Sequence, residues 1–351
     1  MKRATIITGL DIGSSKVSAV AAEIMKDGGF TILSQITQGS KGISKGSIVS
    51  LNDAVASASA VLAKLHEKTS RGAGDIYVSI SGETVKGAIS TGMIPLSLRG
   101  REITRSDMDR CANVAGTIHL PFDREIIHRI VQRYSVDDKP WIKTPLGLYG
   151  SRLACEVYVI TADANHMQNI YKCINNAGYD LKEIVFAGMA DGAALLDKDD
   201  KGSRVLLLDM GASLTEVCVF LEGILSDLEI VPIGADNIKD NFRDSEQFAG
   251  LLSKISAKRQ AFNVSSVILT GGAAFIDSLV EFIEEKLSCK VSVGVTKDIK
   301  GDISSIDSVR VTTAIGLVKY ACENRAQKSR EAKNIPQRIS SAVVELFNNY
   351  F

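Results

Sequence analysis

The sequence has little that would hold a metal or a disulfide. Its six cysteines, Cys111, Cys155, Cys173, Cys218, Cys289 and Cys322, stand singly, with no CxxC or CxH pair. That excludes a zinc-ribbon or dithiol centre and fits a reducing, cytosolic compartment. Cys155 and Cys218 fall in strand-like runs and are expected to pack as small hydrophobes. His66, His119, His128 and His166 are dispersed, without HxxH or HxH spacing, so no histidine metal site is expected. Neither sign of charge is in surplus: the formal net charge is zero. This speaks against a nucleic-acid partner. No run is long and apolar enough to span a bilayer. The opening MKRATIITGLDIG enters a glycine-rich motif at once, without the apolar segment and cleavage site of a secretory leader. Any membrane contact is therefore expected to be peripheral and from the cytoplasmic side. What is present is the balance of a globular α/β chain, 45% hydrophobic and 23% charged over 351 residues. That length calls for two domains or more.

The first motif is Ile6-Ile7-Thr8-Gly9-Leu10-Asp11-Ile12-Gly13-Ser14-Ser15-Lys16-Val17. An apolar strand runs into Asp-x-Gly-Ser-Ser, and an alternating strand leaves it, which predicts a β-hairpin with a turn of small residues. Backbone N–H groups and hydroxyls at such a turn can cradle phosphate oxygens. Asp11 would then face a hydrated Mg²⁺, and Lys16 would offset phosphate charge. The pattern recurs at Leu208-Asp209-Met210-Gly211-Ala212-Ser213-Leu214-Thr215-Glu216, again strand, Asp-x-Gly-small-Ser, strand. A third element, Val267-Ile268-Leu269-Thr270-Gly271-Gly272, is a strand ending in a Gly-Gly loop before an expected helix. One Asp-x-Gly turn means little. Two, with a later strand-Gly-Gly, suggest related halves facing across a phosphate site made by Gly13, Ser14, Ser15, Lys16, Gly211, Ala212, Ser213, Gly271 and Gly272. The alternative is a pair of ordinary hairpins.

These segments resemble the actin-like ATPase superfamily and, within it, the FtsA family of bacterial cell-division proteins. Gly9 to Val17 matches the first phosphate motif. Lys41-Gly42-Ile43-Ser44-Lys45-Gly46-Ser47-Ile48-Val49 and Ile76-Tyr77-Val78-Ser79-Ile80-Ser81-Gly82 resemble two further family segments. His128 to Asp137 and Pro145 to Leu153 resemble segments of the small domain, 1C, that marks FtsA. Thr313 to Tyr320 resembles the closing helix. The resemblance implies an α/β, actin-like (ribonuclease-H-like) fold of two lobes with a 1C insertion. It implies subdomain 1A at 1–81 plus 161–195, 1C at 82–160, and 2A at 196–320. A polar linker at 321–336 and an amphipathic helix at 337–351 follow. It also implies Asp11 and Asp209 as the catalytic and water-mediated Mg²⁺-holding carboxylates, with ATP as cofactor.

The departures bear on function. At the second hairpin the family reads Asp-x-Gly-Gly-Gly/Ser-Thr-Thr-Asp. Here Ala212 adds a methyl, Leu214 replaces a phosphate-facing position, and Glu216 lengthens the acid. Between Ile233-Gly234 and Thr270-Gly271-Gly272 the family carries several dozen more residues, subdomain 2B. That subdomain forms one wall of the adenosine pocket and docks the C-terminal peptide of the tubulin-like FtsZ. The connection here, about 235–262, has room for two short helices and no α/β unit. Weak or lost ATP binding is the expectation, with residual ATPase at most.

Residues 336–351 read PQRISSAVVELFNNYF. Ile339, Val343, Leu346, Phe347, Tyr350 and Phe351 share one face of a 3.6-residue helix. Pro336 suits a helix start, and Arg338 with the lysines and arginines before it suits anionic lipid. A membrane surface is the first candidate for that face; docking on the body or on a sister subunit is the alternative. The expected function is a membrane adaptor that tethers FtsZ-type filaments to the cytoplasmic face, at the division site, with self-association. A competent Mg-ATPase that forms filaments, or an adaptor for pilus or envelope assembly, are the alternatives.

Overall fold

The computed structural model describes residues 5–25, 28–69, 72–196, 204–296, 299–301 and 303–333. The chain begins with three antiparallel strands, β1 (Ile6–Ile12), β2 (Lys16–Ile24) and β3 (Phe30–Gly39). A small hairpin, β4 (Ile43–Ser44) and β5 (Ser47–Ile48), leads to α1 (Leu51–Thr69). Ala54, Ala58, Val61, Leu62 and Leu65 are the buried stripe of α1, at helical spacing. β6 (Asp75–Ile80) then pairs parallel with β1.

An inserted unit follows: β7 (Lys86–Pro95), β8 (Arg101–Glu102), α2 (Arg105–Ala115), β9 (Arg124–Val136), β10 (Tyr149–Gly150) and β11 (Arg152–Asp163). Its sheet has the order β7-β11-β9, and α2 packs Met108, Cys111 and Ala115 on it. Thr104 caps α2 in a reciprocal capping box with Asp107, and Arg101 grips the same carboxylate with two hydrogen bonds, 2.5 and 2.6 Å long. These bonds, led by the Arg101 guanidinium, hold the Asp107 carboxyl far below the usual carboxylate range.

The chain returns to the first sheet through α3 (Ala164–Asn176), β12 (Leu181–Phe186) and α4 (Ala187–Leu195). The second sheet holds β13 (Arg204–Met210), β14 (Thr215–Leu221) and β15 (Ile224–Val231), then β16 (Ser266–Thr270) and β17 (Val291–Val293). Its order is β15-β14-β13-β16-β17. The first sheet reads β3-β2-β1-β6-β12 in the same direction, with β18 (Lys300–Gly301) added beyond β3. Both sheets are antiparallel over the first three strands and parallel after that. Asp11 pairs with Ser18 in one register and Asp209 with Glu216 in the other, each one residue before its first strand ends. The halves suggested by the two hairpins are thus repeats of one topology.

Between β15 and β16 the described chain supplies only α5 (Ala235–Ile238) and α6 (Glu246–Ala261), with no strand. α6 is longer than the short helix expected there, because Phe248, Leu251, Leu252 and Ile255 find a continuous core against the second sheet and α7 (Leu279–Leu287). The Gly-Gly loop enters a 3-10 turn, Gly272–Phe275, before α7, so the expected helix begins later.

The closing segment departs furthest from expectation. After α8 (Ser305–Arg310), helix α9 (Thr312–Lys333) packs Ala314, Leu317, Val318 and Ala321 against Ile7 and Val20 of the first sheet, not the second. Gly9 makes this approach possible: an added methyl would overlap the Ala314 carbonyl oxygen. Residues 311–320, expected with 2A, therefore belong to the first lobe by packing. Residues 321–333, expected as linker, continue the helix. Ala321 and Cys322 are buried and Arg325 pairs with Asp75. An Ala-, Lys-, Glu- and Arg-rich stretch favours helix even where little is buried. Residues 337–351 lie outside the described residues.

His128 of β9 ties the inserted unit to the body. Its Nε2 accepts the Phe186 amide at 2.9 Å, and its ring meets Tyr320 of α9 edge-on, with 5.8 Å between centroids. Burial pushes its pKa down to about 4. The unfolded chain takes that proton near 6.5. Stability from this residue is therefore complete above about 6.5 and is lost as pH falls toward 4, by roughly 3 kcal/mol. In His128→Gln a side-chain oxygen can still accept from Phe186, but the titration is gone. Urea midpoints at about pH 7 and pH 4.5 should show the wild type losing more stability than H128Q. Parallel losses would exclude His128 as the cause.

Candidate functional site

The two sheets meet at a cavity of about 420 Å³. Asp11, Gly13, Ser14, Ser15 and Lys16 line it from the first hairpin, Asp209, Gly211, Ala212 and Ser213 from the second, and Gly271 and Gly272 from the end of β16. Every residue expected at the phosphate site is thus brought to one place. The turns are alike: the Gly13 amide donates to the Lys16 carbonyl at 3.0 Å and the Gly211 amide to the Leu214 carbonyl at 2.9 Å. The amides of Ser14, Ser15, Ala212 and Ser213 donate to nothing among the described residues. The turn tips touch, with Ser213 Oγ donating to Ser14 Oγ at 3.1 Å. The Gly46 amide also donates to Ser14 Oγ, at 3.2 Å. Gly211 and Ala212 carbonyls accept the amides of Ala235 and Asp236, so α5 starts on the back of the second turn.

The floor is acidic. Asp11 Oδ1 accepts from Ser79 Oγ at 2.7 Å. Burial raises the Asp11 carboxyl, against the Ser79 bond and the Lys16 charge. Burial, then the neighbouring Asp11 charge, pushes Asp209 up to about 6. Glu216, opposite Asp209 in the β-ladder, and Asp191 of α4 are held well above the usual carboxylate range by burial first and by their acidic neighbours second. Glu216 and Asp191 are buried, with Ser81 and the Gly188 backbone beside Glu216 and the Asp209 carboxyl in hydrogen-bonding reach of Asp191. Lys16 Nζ donates to the carbonyl of Arg310, bridging the first hairpin and α8. Thr270 and Thr312 share a hydrogen bond of 3.2 Å behind the Gly-Gly turn.

No three His, Cys, Asp or Glu side chains among the described residues converge closely enough to hold a metal directly. The donor set still suits Mg²⁺ in one form. Asp11 and Asp209 present hard oxygens into a cavity with room for water, and Mg²⁺ keeps several of its waters. These two carboxylates would hold it through that shell, and the bound ion would supply charge neutralisation at phosphate oxygens. The turn amides and Lys16 would orient those oxygens.

Asp191, Ser79, Thr313, Phe275 and Arg310 were not legible as site residues. Asp191 alone carries a local signal: a single acid in the apolar helix AGMADGAAL. The expected membrane-facing residues Arg338, Ile339, Val343, Leu346, Phe347, Tyr350 and Phe351 lie outside the described residues.

The family described as "SHS2 domain inserted in FTSA" matches residues 82–161, the span of the inserted unit. Cell division protein FtsA of Borreliella burgdorferi is 28% identical over 393 aligned positions, covering 95% of this chain and 94% of that protein. FtsA of Pseudomonas aeruginosa is 25% identical over 378, covering 92% and 90%. The chain is a divergent relative of FtsA. The first of these alignments is longer than the 351 residues of this FtsA-like chain, so the relative carries positions with no counterpart here. Among solved structures, the PilM–PilN type IV pilus biogenesis complex matches with a TM-score of 0.64 at 11% identity, covering 90% of this chain and 98% of that one. Ethanolamine utilization protein EutJ of Carboxydothermus hydrogenoformans gives 0.52 at 12%, covering 90% and 89%. The fold is actin-like, with an FtsA-type insertion and a reduced 2B.

Proposed function

We propose that this chain is an FtsA-like membrane adaptor for cell division. It holds filaments of a tubulin-like, FtsZ-type protein on the cytoplasmic face of the membrane, at the division site, and self-associates there. Its relatives carry a cell-division name over more than nine-tenths of the chain. The observation that favours an adaptor over an efficient ATPase is the one-sided cleft. The phosphate elements are paired, but α5 and α6 are all that the chain offers between β15 and β16. Much of nucleotide affinity comes from burying the base in a concave site. ATP binding with Mg²⁺ is therefore weak, hydrolysis is slow, and a sub-micromolar ATP affinity by calorimetry would favour the ATPase instead.

Attachment falls to residues 337–351. Six apolar side chains on one face of the expected helix contribute about 1 kcal/mol each. Their sum, roughly 6 kcal/mol, corresponds to dissociation near tens of micromolar for one copy. Self-association raises this through avidity. In a flotation assay with anionic liposomes and FtsZ-type filaments, the wild type should carry filaments to the lipid fraction. Phe347→Asp, which puts a charge in the middle of the stripe, should leave both protein and filaments behind. Equal recovery of F347D with the liposomes would remove the membrane part of this reading.

A further inference from the structure

The chain crosses from the first lobe to the second between α4 and β13 and returns between β17 and β18. Two crossings of this kind leave a hinge about which lobes can turn. A third connection is not covalent. The inserted unit grows out of the first lobe, between β6 and α3, yet it reaches β15, the edge strand of the second sheet. Gln132 of β9 donates from Nε2 to the Leu225 carbonyl at 3.0 Å, and its Oε1 accepts from Ser226 Oγ at 2.8 Å. The hydroxyl of Tyr158, in β11, accepts the buried Leu228 amide at 2.9 Å. Since β15 has a strand on one side only, these side chains take main-chain groups that a further strand would otherwise pair. Gly87 of β7 makes the reach of Tyr158 possible, because an added methyl would overlap its hydroxyl. The Tyr158 ring shares one core with Leu225 and Leu228. Lys143 also pairs with Glu222 at the β14–β15 turn, but both are exposed and such a pair adds little.

We infer that the inserted unit is a clasp between the lobes: Gln132 and Tyr158, by holding β15, fix the angle of one lobe to the other, so that a displacement of the inserted unit is passed to the cleft. Both sides of the clasp are firmly seated. On the first lobe the unit is joined covalently at its two ends, Ile160 and Ala162 of β11 are buried in the core, and His128 accepts from Phe186. On the second lobe β15 pairs along β14, and its Asp227 and Glu229 pair with Lys258 and Lys254 of α6. A movement of β15 is therefore a movement of that lobe. The contacts lie away from the cavity. Leu225 pairs with Phe220, whereas Thr215, beside the second phosphate turn, pairs with Val231 at the other end of β15. None of Gln132, Tyr158, Leu225 and Leu228 lines the cavity. The clasp acts on the lobe angle and not on any ligand contact, and it operates whatever the cleft binds. The bond at Leu228 is buried, so breaking it leaves an amide unpaired. The closed clasp is thus a discrete state and not a sliding contact.

Spin labels on exposed helix positions, Lys64→Cys in α1 and Ala257→Cys in α6, report the distance between the lobes of the full chain by double electron–electron resonance. Cys289→Ser is the background, since the other five cysteines are buried. With the clasp intact the labels should give one narrow distance distribution. Tyr158→Phe keeps the ring in the core and removes the acceptor of the Leu228 amide, and Gln132→Ala removes the bonds to Leu225 and Ser226. Together they should broaden the distribution and shift its centre by several ångström, and each alone should do less. Hydrogen exchange on the same double variant should show the Leu228 amide losing protection by about tenfold, while β13 and β16 keep theirs. An unchanged distribution would overturn the clasp and leave the packing of α4 on α9 to fix the angle. Loss of protection throughout both sheets would make Tyr158 and Gln132 ordinary structural residues and overturn it also. A wild type that already gives a broad distribution would mean that these contacts do not hold the lobes.

Discussion

Asp191→Asn should stabilise the protein in mildly alkaline solution and change little in acid. Asp191 sits in α4 with no exposed surface. Thr313 Oγ1 donates to its Oδ1 at 2.9 Å, and its carboxyl also lies in hydrogen-bonding reach of Asp209. Burial, then the charges of Asp209 and Glu216, raises its carboxyl well above 3.8. A raised acid contributes its full stability below the unfolded value near 3.8. That contribution is lost as pH rises toward the folded value, because the unfolded chain gives up a proton that the folded one retains. Asparagine keeps the acceptor for Thr313 and has no proton to lose. At about pH 8 the variant should be more stable than the wild type, and at about pH 4 the difference should nearly vanish. Urea midpoints at the two pH values decide it. A gain of equal size at both would point to packing, and a loss at pH 8 would mean that the ionised carboxylate is wanted where it is.

The same reasoning gives the acidic floor a functional meaning. Asp11, Asp209, Asp191 and Glu216 cost stability in the free protein, and natural chains retain such groups where they serve a site. His128 works in the opposite pH window, losing stability toward acid. The two effects are separable because their variants respond to pH with opposite signs.

What could be read in the sequence was what is encoded locally. The hairpin turns were legible because Asp-x-Gly-small-Ser fixes a turn within a few residues. The inserted unit was legible from its segments, and the lack of a 2B wall from the length of a connection. Long-range contacts were not. Nothing near Ser14 shows that Ser213 touches it, and nothing in α9 shows that it crosses back to the first sheet. An apolar stripe says that a helix face will be buried, not against which sheet. The fit of Gly9 under Ala314, and of Gly316 against the Ala190 carbonyl, settles that choice in three dimensions. Polar residues 321–333 were expected as a tether because little in them is apolar, yet helix propensity and the Arg325–Asp75 pair extend α9 through them.

The adjacent glycines Gly271 and Gly272 should behave differently, and the difference tests the site directly. Gly271 has φ 84° and ψ −170°, a region that is almost closed to residues with a Cβ. A methyl there would lie 2.6 Å from the Met210 carbonyl oxygen and would overlap Asp209 Oδ1. Gly271→Ala should therefore cost about 3 kcal/mol from backbone strain and overpacking together. It should also displace the Asp209 carboxylate from its present position. Gly272 has no neighbour within 4 Å of an added methyl and begins a 3-10 turn. Gly272→Ala should be neutral or stabilising by up to about 1 kcal/mol, through the unfolded chain. Its methyl projects where a ligand lying along the turn would pass, so ligand binding should fall while stability does not. Urea unfolding and ATP calorimetry on both variants give four numbers. G271A losing both stability and binding, with G272A losing binding alone, places the ligand against the Gly-Gly turn. Full ATP affinity in G272A would place it elsewhere in the cleft.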